Sequence, residues 1–348
     1  MIKIGTREIG ENQPSFIIAE LSANHNGSLD VAIETIRAAK RAGADAIKLQ
    51  TYTPDTMTID EDNKYFQIDG GTLWDGKTLY NLYGEAYTPW EWHKQLFDVA
   101  KEEGLICFSS PFDITAVDFL ETLDVPAYKI ASFEIQDIPL IEYAASKGKP
   151  IIMSTGIAEE SDIQLAVDTC RKVGNNDIIL LKCTSAYPAP LELANLNTIP
   201  DLKTRFGVEV GFSDHTYGSL APTVATALGA KVIEKHFILD KSIGGPDADF
   251  SLNVTDFTDL VCKVRDAEKL LGHVSYDVSE KVRSNRKFAR SLFVVEDVKV
   301  GDVITSKNVR SIRPGDGLHP KYYKEILGKT FTQNVIKGTP LALQLIND

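Results

Sequence analysis

The chain has 348 residues, with 37 Lys and Arg against 49 Asp and Glu, a formal charge of −12. That length fits one large barrel, or a large domain with a small appendage, and exceeds what one small core requires. With 25% charged and 43% hydrophobic residues the chain is not a disordered one, and the acidic balance excludes a protein that coats nucleic acid through a basic surface.

The first residues, MIKIGTREIGENQPSF, lack the basic start and apolar run of a secretory leader. No stretch approaches the roughly 18 apolar residues of a membrane helix. No membrane and no nucleic acid are expected as partners, and the cytoplasm is the expected compartment. From there short apolar runs alternate with amphipathic stretches. The runs are FIIAEL (16–21), AIKLQT (46–51), ICFSS (106–110), AYKIAS (127–132), IIMST (151–155), IILLKCTS (178–185), VEVGFS (208–213) and VIEKHF (232–237). Helical patterns such as DVAIETIRAAKRAGA and ESDIQLAVDTCRKVG lie between them. Gly43, Gly104, Gly148, Gly174 and Gly229 stand at the helix-to-strand junctions, where a helix end favours glycine. Eight such units in about 275 residues predict a (β/α)8 TIM barrel, an α/β fold. An open doubly wound sheet is the alternative, but no Gly-rich dinucleotide turn supports it.

Residues 1–278 are assigned to the barrel, 279–290 to a basic linker and 291–348 to a small, mostly β domain broken by turns at Gly301, Gly315 and Gly338. A domain of about 60 residues has little core of its own, so it is expected to pack on the barrel or on a partner subunit. Residues 52–88 are too long for an ordinary strand-to-helix connection and read as a substrate wall. Trp90 and Trp92 start a helix that packs on the barrel exterior. The four cysteines, Cys107, Cys170, Cys183 and Cys262, form no CxxC and read as buried thiols in a reducing compartment.

Polar residues at the C-terminal ends of apolar strands carry the functional signal. Alternation puts Glu20 with Ser22, Lys48 with Gln50, Ser213 with His215, and Glu234 with His236. Lys129, Ser132 and Glu134 follow the fourth strand; Ser110, Ser154 and Ser185 end the third, fifth and sixth. Singly, each has an ordinary explanation: a lysine emerging into solvent, a serine capping the next helix, a satisfied histidine. Together they form a ring of two lysines, carboxylates, hydroxyls and two histidines. Lys48 and Lys129 suit a phosphate-plus-carboxylate ligand. His215 and His236 suit a divalent metal with open positions, although no third ligand follows a fixed spacing. Glu134 can move a proton. That chemistry fits carbon–carbon bond formation between a phosphorylated acid and an aldehyde. A Schiff-base aldolase using Lys129 or Lys48, and a carbohydrate- or ice-binding protein without catalysis, are the competing classes.

The segments IAELSANHNGSLDVA, KLQTYTPDT, SSPFD, YKIASFEI, STGIA, LKCTSAYPAP, GFSDHTYG, IEKHF, GPDADFSL and RPGDG, in that order along nearly the whole chain, resemble the sialic acid synthases. The resemblance implies a phosphoenolpyruvate-condensing TIM barrel followed by an antifreeze-protein-like (SAF) domain. ELSANHNG and the 52–88 wall are most similar to the branch that makes pseudaminic acid from phosphoenolpyruvate and 2,4-diacetamido-2,4,6-trideoxy-altropyranose; the neuraminate and legionaminate branches are the alternatives. It further implies that Lys48, Ser110, Lys129, Ser132, Ser154, Ser185 and Ser213 hold phosphoenolpyruvate. Gln50, Glu134, Tyr187 and Asp247 would face the sugar, and Glu20 would also line the site. His215 and His236 would hold manganese, with magnesium or cobalt as alternatives. Arg313 would reach the partner's barrel in a domain-swapped homodimer. Ser185 stands where neuraminate synthases often have Asn, a departure from the family pattern.

Overall fold

The computed structural model describes residues 1–71 and 74–347. Thr72 and Leu73, within the expected wall segment, and Asp348, at the end of the C-terminal domain, lie outside the described residues. Contacts divide the chain into Met1–Gly272 and His273–Asp348.

In the first unit, β1 (Ile2–Ile4) and β2 (Arg7–Ile9) form a hairpin. The strands β3 (Phe16–Glu20), β4 (Ala46–Thr51), β5 (Ile106–Pro111), β6 (Tyr128–Ile130), β7 (Ile151–Ser154), β8 (Ile178–Cys183), β9 (Glu209–Asp214) and β10 (Val232–His236) follow. Among the described residues these eight close into one parallel barrel, β10 pairing β3. Its helices are α1 (Leu29–Arg41), α2 (Pro54–Met57), α3 (Leu79–Ala86), α4 (Trp90–Glu102), α5 (Ile114–Glu121), α6 (Ile138–Ser146), α7 (Glu160–Lys172), α8 (Thr198–Phe206), α9 (Leu220–Ala227) and α10 (Val254–Leu271).

The strands are apolar because both of their faces are covered. Inward residues Phe16, Ile18, Ala46, Phe108, Ile152, Ile179, Leu181 and Val232 pack with Ile2, Ile4 and Ile9 of the hairpin. Outward residues such as Ile17, Ile47, Leu49, Met153 and Leu180 pack with the helices. In α1 the buried stripe is Ala32, Thr35, Ile36, Ala38 and Ala39, the spacing of one helical face. Ser28 caps its start by accepting from the Val31 N–H, and the chain leaves at Gly43 with φ +90°. Burying a side chain such as Ile36 contributes about 1.5–3 kcal/mol. Gly211 in β9 has a packing reason: a Cβ there would lie 2.6 Å from Leu181 Cδ2 and 2.8 Å from Val232 Cβ.

The register sets the site. Glu20 pairs across with Lys48, His236 with Glu20, Gln50 with Ser110, and Glu234 with Ser213. The polar ends of neighbouring strands therefore stand at matching heights.

The second unit has β11 (Ser291–Val294) antiparallel to β12 (Val309–Ile312), and β13 (Thr330–Phe331) antiparallel to β14 (Ile346–Asn347). It has its own core of Leu292, Val294, Val298, Ile304, Val309, Ile326, Phe331, Val335, Leu341 and Leu345.

Candidate active site

Lys48, Glu20, Glu234 and Lys129 form a buried group inside the barrel. Lys48 Nζ forms an ion pair with Glu20 Oε2 at 2.6 Å and lies 3.9 Å from Glu234 Oε1; Lys129 Nζ lies 3.8 Å from the same Glu234 oxygen. Lys48 and Lys129 are 3% and 2% exposed, so neither simply emerges into solvent. Burial opposes the charge on Glu234, but Lys129 and Lys48 outweigh it and hold its carboxyl below the usual range. Burial pushes Glu20 up to about 7, against the pull of Lys48. Burial also lowers Lys129, while Lys48 is held above its ordinary value by Glu20 and Glu234 despite burial. Glu234 is thus the carboxylate that the two lysines hold ionised, whereas burial raises Glu20. Two buried lysines that share the Glu234 oxygen at 3.8–3.9 Å suit an anionic ligand.

Hydroxyls surround the lysines. Lys48 donates to Ser110 Oγ (3.3 Å), Lys129 to Ser154 Oγ (2.7 Å), and Ser213 Oγ to Glu234 Oε1 (3.2 Å). Ser185 Oγ donates to Ser132 Oγ (2.8 Å), which also accepts the Ile157 N–H (3.1 Å). A Cβ on Gly156 would lie 2.7 Å from Ser132 Oγ, so glycine leaves that hydroxyl pair its space.

Glu134 lies on the one-turn helix Ser132–Glu134 after β6. Its Oε2 is buried without a hydrogen-bond partner, and burial pushes its carboxyl up to about 7, opposed by Lys129.

The rings of His215 and His236 stand 5.4 Å apart. His215 Nδ1–H donates to the Thr184 carbonyl at 3.0 Å, which leaves its Nε2 lone pair for a ligand. His236 Nδ1 is buried without a hydrogen-bond partner, 3.7 Å from Asp247 Oδ2. Burial, then His215, Lys48, Lys235 and Lys129, hold His236 neutral. Among the described residues no three His, Cys, Asp or Glu side chains are grouped to hold an ion. Two imidazoles 5.4 Å apart, one with its Nδ1 tied to a carbonyl and the other with an unpartnered Nδ1, nevertheless fit a divalent metal whose other positions go to substrate and water.

Tyr187 packs on His215 (centroids 4.4 Å) and Phe250 (5.3 Å). Trp74, from the 52–88 segment, lies 5.8 Å from Tyr187, and its indole N–H donates to the Pro246 carbonyl at 3.2 Å. That segment folds as α2, a Gln67–Thr78 bridge and α3. Gln50 Nε2 donates to Glu20 Oε1 and Ser22 Oγ, each at 3.0 Å. Ser22 Oγ donates to Asp247 Oδ2 at 2.5 Å. Arg313 is exposed at the end of β12 in the second unit.

Three points differ from expectation. Cys183 contacts the site, its Sγ 3.8 Å from His215 Nδ1, so packing alone does not describe it. Cys262 is exposed, because it falls on the outer face of α10, whose buried residues are Phe257, Leu260, Val264 and Ala267. Glu234, placed beside His236 by alternation but given no role, is the carboxylate that both lysines share. Its signal was an acidic residue facing inward on an apolar strand. Outward charge has another meaning: Lys235 and Asp214 are paired at 2.6 Å with no side-chain exposure, tying β10 to β9 behind the two histidines.

The NeuB family profile matches residues 35–276, and the SAF domain profile residues 289–346. Pseudaminic acid synthase of Campylobacter jejuni (strain 81-176) is 52% identical over 94% of this chain and 95% of its own length. Pseudaminic acid synthase of Helicobacter pylori is 50% identical over 95% and 97%. The crystal structure of spore coat polysaccharide biosynthesis protein spsE from Bacillus subtilis superimposes with a TM-score of 0.67 at 34% identity, covering 100% and 99% of the two chains.

Proposed function

The chain belongs to the NeuB family, and from that premise we propose that it is a pseudaminic acid synthase. It condenses phosphoenolpyruvate with 2,4-diacetamido-2,4,6-trideoxy-altropyranose and releases phosphate by C–O cleavage. The observation that carries this reading is the buried Lys48–Glu20–Glu234–Lys129 group, combined with about half-identity to two synthases of that name over nearly the whole chain.

Lys48 and Lys129, with Ser110, Ser132, Ser154, Ser185 and Ser213, take the phosphate and carboxylate of phosphoenolpyruvate. Gln50, Tyr187 and Asp247 face the sugar. His215 and His236 would hold a divalent metal, manganese before magnesium or cobalt, and such an ion when bound would polarise the sugar's carbonyl oxygen. C3 of phosphoenolpyruvate attacks the open-chain C1 aldehyde. The new alkoxide takes a proton, and Glu20, whose carboxyl burial raises, is its donor in this reading. Water adds at the electron-poor C2 and gives its proton to Glu134. The tetrahedral centre then expels phosphate. Positioning of the two substrates in one buried site supplies much of the acceleration.

Residues 279–290 connect the barrel to the SAF domain, and Arg313 completes the partner's site in a domain-swapped homodimer. No described helix is long and apolar enough to cross a membrane; consumption of phosphoenolpyruvate supports a cytoplasmic site of action. The deciding experiment measures phosphate release from phosphoenolpyruvate with a panel of acetamido-hexoses. The altro 2,4-diacetamido sugar should give the highest kcat/KM. Faster turnover of N-acetylmannosamine or of the legionaminate precursor refutes the assignment.

A further inference from the structure

Ser22 breaks a backbone rule at the mouth of the barrel. It occupies the second place of a reverse turn after β3, closed by the Asn24 N–H donating to the Leu21 carbonyl at 3.0 Å. Its φ is +47°, in the left-handed region where glycine is favoured and a Cβ is penalised. Among the described non-glycine residues the others with positive φ are Asn26, Asp124 and Asn195, whose side chains tolerate that region. Serine has no such excuse, and at 3% exposure solvent does not explain it.

The hydroxyl does. It donates to Asp247 Oδ2 at 2.5 Å and accepts the Gln50 amide at 3.0 Å. The same amide reaches Glu20 Oε1, and the same Asp247 oxygen faces His236 Nδ1 at 3.7 Å. One side chain therefore joins strands β3 and β4 to the loop after β10. Glycine would suit the turn but would leave Gln50 with Glu20 alone and Asp247 Oδ2 with only the Ala23 N–H at 3.5 Å.

We infer that Ser22 is a positioning residue for the sugar: its hydroxyl fixes the Asp247 carboxylate and the Gln50 amide, and the left-handed backbone persists because it delivers that hydroxyl. This rests on the reading of Gln50 and Asp247 as sugar-facing.

Two variants separate fold from function. Ser22→Gly removes the hydroxyl and relieves the backbone; Ser22→Ala removes the hydroxyl and keeps the Cβ. Both are measured for Tm and for phosphate release while phosphoenolpyruvate and the altro diacetamido sugar are varied in turn. Both should raise the sugar KM about tenfold or more, the effect of losing a hydrogen bond to a charged group, with the phosphoenolpyruvate KM within about twofold of wild type. Ser22→Gly, which lacks the strained Cβ, should melt a few °C above Ser22→Ala. A wild-type sugar KM in either variant overturns the inference. So does a Ser22→Gly protein that melts well below wild type with both KM values raised, which makes the hydroxyl structural. Wild-type enzyme that releases no phosphate with this sugar overturns the functional reading, and this inference with it.

Discussion

Glu134→Gln tests the proton-transfer role and the burial of that carboxyl at once. The carboxyl is raised from 4.5 to about 7 by burial. At about 1.4 kcal/mol per pH unit, that difference is worth about 3 kcal/mol. The folded-state value lies above the unfolded one. The stabilising contribution is therefore full below pH 4.5 and is lost as the pH rises through 7. Between pH 5 and 8 the wild type should lose about 2–3 kcal/mol from this group, or roughly 3–5 °C in Tm for a domain of this size. Glutamine keeps the shape and carries no proton to lose, so the variant should melt with a pH slope smaller by that amount. Its kcat should also fall by about 10²–10⁴, the usual weight of one acid–base group. Thermal melts at pH 5 and 8, with and without the substitution, provide the first comparison; initial rates at pH 8 provide the second. Parallel pH slopes together with a kcat within tenfold of wild type would refute the reasoning.

Lys48→Met and Lys129→Met each leave Glu234 with one cation fewer in a buried site; phosphoenolpyruvate KM should rise by about 10² or more with sugar KM little changed, and steady-state kinetics with each substrate varied in turn will show it. His215→Ala and His236→Ala should abolish turnover, and a chelator should inactivate wild type reversibly; full activity in excess chelator contradicts the metal reading. Mixing Arg313→Ala with His236→Ala subunits should restore activity if Arg313 serves its partner's barrel, whereas an inactive mixture with verified subunit exchange assigns the arginine to its own chain.

The barrel was legible because its strands are uniformly apolar until their C-terminal ends, where Glu20, Lys48, Lys129 and His236 interrupt them. Alternation placed these side chains inward, and the structure finds Glu20, Lys48 and Lys129 buried there and His236 partly so. What alternation could not supply was register. That Glu20 pairs with Lys48, and that Glu234 stands between two lysines, depends on how far neighbouring strands slide. Ser22 was read only as the companion of Glu20, since nothing in its type announces a left-handed backbone. Trp74 was hidden for another reason: a long connection has no periodicity, so no spacing rule brings it against Tyr187. The exposed Cys262 shows the limit of residue-type averages, because thiols are mostly buried and this one happens to fall on the outer stripe of α10.

The β1–β2 hairpin has a kinetic corollary. Ile2, Ile4 and Ile9 join the innermost layer of the barrel, so the lumen is stoppered at that end and traffic has a single door. The lysines lie deep and almost wholly buried, whereas Tyr187 and Trp74 belong to loops at the opposite rim. A vessel with one opening imposes a queue: whatever reaches the buried lysines passes Tyr187 and Trp74 on the way in and again on the way out.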